Sequence, residues 1–125
     1  MANLKEIIDR SQYWGILEVT LQTNHPTLRD EIMANGESYE ENNQRYNELI
    51  RMVAREKKVI LVDIHDKFMK VLKQNLNVKP NGLLLPYPDL LHLSENGNRL
   101  YFEFMKEEIE KAVERVVTGN RNGLR

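Results

Sequence analysis

The stretch that decides the fold is residues 59–72, VILVDIHDKFMKVL. Its first four residues, Val59–Val62, form an unbroken apolar run, which is typical of a short β-strand covered on both faces. From Ile64 onward, apolar residues recur at the three- and four-residue spacing of an amphipathic helix. A buried strand followed at once by a helix is the repeating unit of α/β proteins, so this segment predicts a parallel sheet with crossover helices.

The same alternation of helix and strand extends toward the N-terminus. Residues 3–14 carry apolar side chains at helical spacing, which predicts a first helix. Ile16–Leu21 alternates along the chain, as a half-exposed strand does. Ser38 and Glu41 have the spacing of a capping box, which marks the start of a long helix reaching about Lys57.

After the second strand and its helix, the chain contains a loop and a last helix. Residues 77–88 are rich in proline and glycine and are predicted to form the loop. Ser94 is expected to cap a helix over about residues 95–117. The apolar residues of this helix, from Leu100 to Val117, are expected to face inward.

These elements predict one α/β domain over residues 1–117, followed by a flexible tail at 118–125. The expected architecture is a partial flavodoxin-like three-layer fold, with a short parallel sheet and flanking helices. Only two strands are predicted, whereas sheets usually have about four to six. Two strands are too few to cover four amphipathic helices. We therefore expect a homo-oligomer, or a complementing N-terminal half that completes the fold.

The composition excludes several classes of partner and site. The 125 residues include 18 Lys+Arg and 19 Asp+Glu, and they form no basic stripe, which argues against nucleic acid and against a membrane surface. The absence of cysteine excludes disulfides, thiolate metal sites and a cysteine nucleophile. The charged N-terminus is unlike a signal peptide, and no apolar run is long enough to span a membrane. A cytoplasmic protein is the expectation.

Asp89 and His92 stand three residues apart, between the loop and the last helix. On a short turn, a carboxylate can orient an imidazole and stabilise its charged form, as a Ser-His-Asp triad requires. By spacing alone, such a pair is more often structural or accidental than catalytic.

The residues around this pair are more specific. Residues 89–101, DLLHLSENGNRLY, followed by an amphipathic helix, resemble the last conserved block of the SGNH, or GDSL-type, esterases and acylhydrolases. Tyr46–Ala54 and Val59–Asp63 resemble the penultimate helix and strand of that family. Ile16–Leu21, followed by Thr23–Pro26, resembles the preceding strand and its loop. The resemblance covers nearly the whole chain, but only the second half of the family's fold.

The resemblance implies an ester hydrolase with His92 as general base and Asp89 as its orienting carboxylate. The family's Gly-Asp-Ser block and its oxyanion-hole Gly and Asn blocks are absent, and Ser11, Ser38 and Ser94 lack the Gly-Asp setting. We therefore expect a truncated or split SGNH-type hydrolase, inactive in isolation and without a cofactor. Once completed, it would act on a small ester or acyl substrate. The alternative is a non-catalytic α/β module for oligomerisation or binding.

An apolar run in the loop before Asp89 is a second candidate site. Loops rarely expose so many apolar side chains without a function. These residues either bind the acyl part of a substrate beside His92 or lie in a subunit interface. They are Leu83, Leu84, Leu85 and Tyr87.

The histidines also raise the question of a metal site. His25, His65 and His92 are suitable ligand types, but their spacing fits no compact ligand motif, so no metal is expected. The simpler interpretation is that Asp63 and Asp66 cap the helix after the second strand. His65 is then expected to be solvated on the first turn of that helix.

Overall fold

The computed structural model describes residues 2–29, 31–74 and 91–123, with side chains up to residue 119. Two short strands alternate with four helices. In chain order these are α1 (Ala2–Tyr13), β1 (Thr20–Gln22), α2 (Tyr39–Lys57), β2 (Ile60–Val62), α3 (Ile64–Gln74) and α4 (Glu95–Gly123). The predicted fold class, a partial α/β fold with a short parallel sheet flanked by helices, is confirmed.

The sheet pairs β1 with β2 in parallel. Thr20 lies opposite Ile60 and Gln22 lies opposite Val62. The first strand is shorter than predicted, because the N–H of Ile16 bonds to the carbonyl of Ser11 at 3.0 Å and so continues the end of α1. The ladder therefore begins at Thr20 rather than at Ile16.

The structure confirms the predicted start of α2 but not the predicted end of α4. Ser38 Oγ accepts a hydrogen bond from the Glu41 N–H at 3.2 Å, and the Ser38 N–H donates to Glu41 Oε2 at 2.7 Å, which confirms the capping box. The predicted end of α4 near residue 117 was wrong, since the helix runs to Gly123. Extending a formed helix costs much less than starting one. Residues 118–123, predicted as part of a flexible tail, are therefore helical.

Two groups of buried side chains form the core. Ile8, Val53 and Ala54 are buried on α1 and α2, which contact each other. A second cluster consists of Val62, Ile64 and Phe68, at the end of β2 and the start of α3. Partly buried residues of the loop after β1, of α3, of the turn before α4 and of α4 itself pack against this cluster. They are Leu28, Leu72, Leu93, Leu100, Tyr101, Phe104 and Met105.

Helix α4 lies along β1 and runs in the opposite direction. Its Tyr101 hydroxyl donates to Gln22 Oε1 at 2.6 Å, at the carboxyl end of β1. Further along the helix, the Arg115 guanidinium binds Glu18 Oε1 at 2.6 and 3.0 Å, just before the amino end of β1. The first turns of α4 therefore lie at the carboxyl ends of the strands.

Many large apolar side chains remain exposed within the described part of the chain. The expectation that α4 turns its apolar residues inward was wrong for Ile109, Val113 and Val117, which are 56%, 57% and 44% exposed. The apolar arc of α4 is wider than its contact with β1 and α3, so part of it is exposed in the described part of the chain. Among the described residues, no helix is both long and apolar enough to cross a membrane.

Candidate functional site at the carboxyl ends of the strands

Thr23 and Asp63 follow the two strands directly and join their ends. The Thr23 hydroxyl is buried, donates to Asp63 Oδ1 at 3.0 Å and accepts the His65 N–H at 3.0 Å. Asp63 Oδ1 also accepts the Asp66 N–H at 3.1 Å, so Asp63 caps α3 as the sequence predicts. One threonine and one carboxylate thereby fix the corner where β2 passes into α3.

Arg51 of α2 completes this corner. Its Nε donates to Asp63 Oδ2 at 2.7 Å and its Nη2 donates to Oδ1 at 3.0 Å, a two-point contact. Burial by itself raises the pKa of the Asp63 carboxyl. The Arg51 guanidinium, the Asp66 N–H and the Thr23 hydroxyl outweigh burial and hold this pKa at about 2. Asp63 is therefore a structural anion at neutral pH.

His65 does not lie in solvent, contrary to the sequence prediction. Its side chain is 12% exposed, and its Nε2 lies 2.8 Å from Oε1 of Glu40 in the first turn of α2. Glu40 Oε2 accepts the Thr27 N–H at 2.8 Å and the Asn43 amide at 3.2 Å. Burial raises the pKa of Glu40, but the bonds from His65, Thr27 and Asn43 lower it overall.

Two buried asparagines of α2 hold the loop after β1. The Asn47 amide donates to the carbonyl of Asn24 at 3.1 Å, and its Oδ1 accepts the Asn24 N–H at 2.8 Å. The Asn43 amide donates to the carbonyl of His25 at 3.0 Å. The His25 ring lies 6.2 Å from the ring of Phe68, so this loop is fixed against α2 and faces the core cluster.

His92 lies in the turn before α4 and is exposed. The next residue, Leu93, packs against the cluster at the end of β2, and Tyr101 binds the end of β1. These contacts place the His92 turn at the carboxyl ends of both strands. Its predicted partner and the candidate substrate-binding loop lie outside the described residues. They are Asp89, Leu83, Leu84, Leu85 and Tyr87.

A groove of about 360 Å³ opens next to Glu40, between the loop after β1, α2 and α3. Its walls are mainly apolar, and His92 is not among them. The lining residues are Pro26, Thr27, Leu28, Glu40, Gln44, Met69, Leu72 and Lys73. The groove and the His92 turn are therefore separate features of the described surface.

The three serines have roles in helices. The Ser11 hydroxyl donates to the Ile7 carbonyl at 2.8 Å within α1. Ser38 caps α2, and Ser94 Oγ accepts the Gly97 N–H at 3.1 Å at the start of α4. Over residues 2–29, 31–74 and 91–123, no group of three or more histidine and carboxylate side chains has the arrangement of a metal site.

Sequence reasoning missed the Glu40–His65 pair, although a signal for it was present. In a parallel unit, the crossover helix begins at the carboxyl end of the first strand and the next helix begins at the carboxyl end of the second. Glu40 and His65 both occupy first turns, so the predicted topology already brought them to one edge. The prediction that His65 is solvated was based only on its neighbours in the sequence.

A scan of protein-family models found no match to this chain, and a search of curated proteins found none. The resemblance to SGNH hydrolases rests on residues 89–101 and on the matching helix and strand patterns upstream.

Proposed function

We propose that this chain is the second half of a truncated or split SGNH-type ester hydrolase and carries the His–Asp part of a Ser-His-Asp triad. The position of His92 carries this proposal. Leu93 and Tyr101 hold its turn at the carboxyl ends of β1 and β2. In open α/β sheets, ligands bind outside these strand ends.

The proposed chemistry is ester hydrolysis through an acyl-enzyme. His92 takes the proton of a serine hydroxyl as the oxygen attacks the ester carbonyl, and then gives it to the leaving alcohol. Asp89 holds the imidazole in the tautomer that this transfer needs. The serine and the oxyanion donors come from an N-terminal segment or another chain. Leu83, Leu84 and Leu85, with Tyr87, offer apolar contact to the acyl group.

The corner around Asp63 supports this role, because a general base must be held within about 0.5 Å of its working position. Thr23, Asp63 and Arg51 tie β1, β2 and α2 together by hydrogen bonds of 2.7 to 3.0 Å. Leu93 packs against the cluster of Val62, Ile64 and Phe68, where β2 passes into α3. The turn that carries His92 thus stands on a cross-linked part of the fold.

The second candidate function is a non-catalytic module for oligomerisation or binding. The exposed apolar residues of α4 favour it, because a large apolar patch on the described surface marks an interaction site. Both functions predict an inactive isolated chain. The measurement that separates them must therefore report on the Asp89–His92 pair itself.

NMR of the chain labelled with ¹⁵N-histidine makes this test, because it resolves the two imidazole tautomers. If Asp89 orients His92, then Asp89→Asn changes the tautomer ratio of His92 and leaves His25 and His65 unchanged. Asp9→Asn, which makes the same chemical change on α1, leaves all three rings unchanged. If Asp89→Asn leaves the His92 tautomer ratio unchanged, the hydrolase proposal is wrong and the non-catalytic module is the function that remains.

A further inference from the structure

The chain makes a tight turn at Asn35–Gly36, shortly before α2. The Gly36 N–H donates to the Met33 carbonyl at 2.9 Å, and the Met33 N–H donates to the Glu37 carbonyl at 2.8 Å. Gly36 has a φ of 82°, a backbone conformation that glycine adopts without strain. These bonds place the Asn35–Gly36 peptide at the end of a short hairpin.

The side chain of Asn35 is bound to the backbone and side chain of Glu37. Asn35 Oδ1 accepts the Glu37 N–H at 3.2 Å, and Asn35 Nδ2 donates to Glu37 Oε2 at 2.8 Å. A bond from an asparagine oxygen to the backbone two residues later is an Asx turn. It folds the side-chain carbonyl of Asn35 back over the Gly36 peptide.

We propose that Asn35 is a site of spontaneous deamidation, in which the chain modifies itself through a cyclic imide. The Gly36 backbone nitrogen gives up its proton and forms a bond to Cγ of Asn35. The Cγ–Nδ2 bond then breaks, and ammonia leaves with that proton. Water opens the imide, giving aspartate when it adds at Cγ and isoaspartate when it adds at the backbone carbonyl carbon of Asn35.

Two features of the turn favour the attack. Glycine has no Cβ, so the attacking nitrogen of Gly36 is less hindered than that of any other residue. The Glu37 N–H already donates to Asn35 Oδ1, the oxygen on which negative charge develops as the new bond forms. The bond from Gly36 to the Met33 carbonyl must open first, and such opening costs least in exposed turns.

A second Asn-Gly pair, Asn96–Gly97, provides a contrast within the same chain. It lies in the first turn of α4, where Gly97 is buried and its N–H donates to Ser94 Oγ at 3.1 Å. The Cβ of a helical residue tilts toward the helix N-terminus and so away from the following peptide. Asn96 is therefore protected in the folded chain. The asparagine side chains of the other two pairs, at positions 81 and 122, lie outside the described residues.

Deamidation changes the charge at the start of α2. Glu37 Oε2 accepts the Asn35 amide and also binds Arg45, at 3.2 Å from Nη2 and 3.3 Å from Nε. A carboxylate at position 35 cannot donate to Glu37, so Arg45 then faces two carboxylates. One carboxylate in place of one neutral amide changes the net charge of the chain from −1 to −2.

Peptide mapping by mass spectrometry tests the proposal. The purified full chain is incubated at neutral pH in buffer and in urea, and conversion of amide to acid is followed at positions 35 and 96. In the folded chain, Asn35 should convert to both aspartate and isoaspartate while Asn96 stays an amide. In urea the two should convert at similar rates. The proposal is wrong if folded Asn35 stays an amide, converts no faster than Asn96, or gives aspartate alone.

Substitution of the attacking residue tests the route. Gly36→Ala adds a methyl group next to the attacking nitrogen and should slow conversion of Asn35 severalfold, in buffer and in urea, where the positive φ no longer matters. Gly119→Ala is the matched control, because a Cβ at Gly119 also meets nothing within 4 Å, and it should leave the rate unchanged. Equal rates for Gly36→Ala and wild type in urea would refute attack by the Gly36 nitrogen. None of these measurements involves His92, so this proposal and the hydrolase proposal fail separately.

Discussion

The imidazole of His65 lies 2.8 Å from the carboxylate of Glu40, which joins the first turn of α3 to the first turn of α2. Glu40 also accepts the backbone N–H of Thr27, so the pair ties the loop after β1 to both helices. Because both helices begin at the carboxyl ends of the strands, this pair supports the same edge of the sheet as the His92 turn. Glu40 also lines the groove beside α3.

Replacing the Glu40 carboxylate should destabilise the protein. Glu40→Gln keeps the size of the side chain but removes the charge that His65 and Thr27 bind. We expect the free energy of unfolding in urea to fall by about 1.5–3 kcal/mol, the range for hydrogen bonds to charged groups. Glu48→Gln is the control, because Glu48 is 54% exposed and its ion pairs are at the surface. Equal effects of the two variants would contradict a special role for Glu40.

Stability should fall in acid, and Asp63 should account for a definite part of the loss. Its pKa is lowered from 3.8 to about 2 in the folded chain, so its contribution is complete above pH 3.8 and is lost as pH falls toward about 2. Such a shift corresponds to at most about 2 kcal/mol, because Asp63 is partly exposed and solvent screens its ion pair with Arg51. Asp63→Asn should therefore flatten the dependence of the urea midpoint on pH in this window. An unchanged slope in Asp63→Asn would refute the assignment.

Phe68 should be the most sensitive core position. It is fully buried, and its ring contacts Tyr101 and Phe104 at centroid distances of 6.5 and 5.5 Å. Phe68→Ala should lower the free energy of unfolding by about 3–5 kcal/mol, the usual cost of removing a buried aromatic ring. Tyr13→Ala, at a position 83% exposed, should change it by less than about 0.5 kcal/mol. A small effect of Phe68→Ala would mean that α4 is not anchored through this ring.

The isolated chain should show no esterase activity. Its three serine hydroxyls serve helix caps or bond within α1, and the sequence lacks the Gly-Asp-Ser block in which SGNH hydrolases carry their nucleophile. Purified chain should hydrolyse p-nitrophenyl acetate no faster than its His92→Ala variant, and a fluorophosphonate probe should not label it. Labelling of Ser11, Ser38 or Ser94 would show that the active site is built differently from the proposed one.

Much of the architecture followed from local patterns in the sequence. The apolar run at 59–62 identified β2, the Ser38–Glu41 spacing marked the start of α2, and strand–helix alternation predicted a parallel sheet. These features were predictable because hydrogen bonds and apolar periodicity within a helix or strand depend on residues a few positions apart. The Asp89–His92 pair was also identified from the sequence, and its contact stays a prediction because Asp89 lies outside the described residues.

Only the tertiary structure decided which apolar and polar groups have partners. The sequence shows that α4 has apolar residues on much of its circumference, but Tyr101 and Arg115 determine which part faces β1 and leave Ile109 and Val113 exposed. In the same way, His65 is a first-turn residue in sequence, and the crossover of α2 brings Glu40 to it. Contacts between residues far apart in the chain depend on how elements pack, and periodicity within one element does not contain that information.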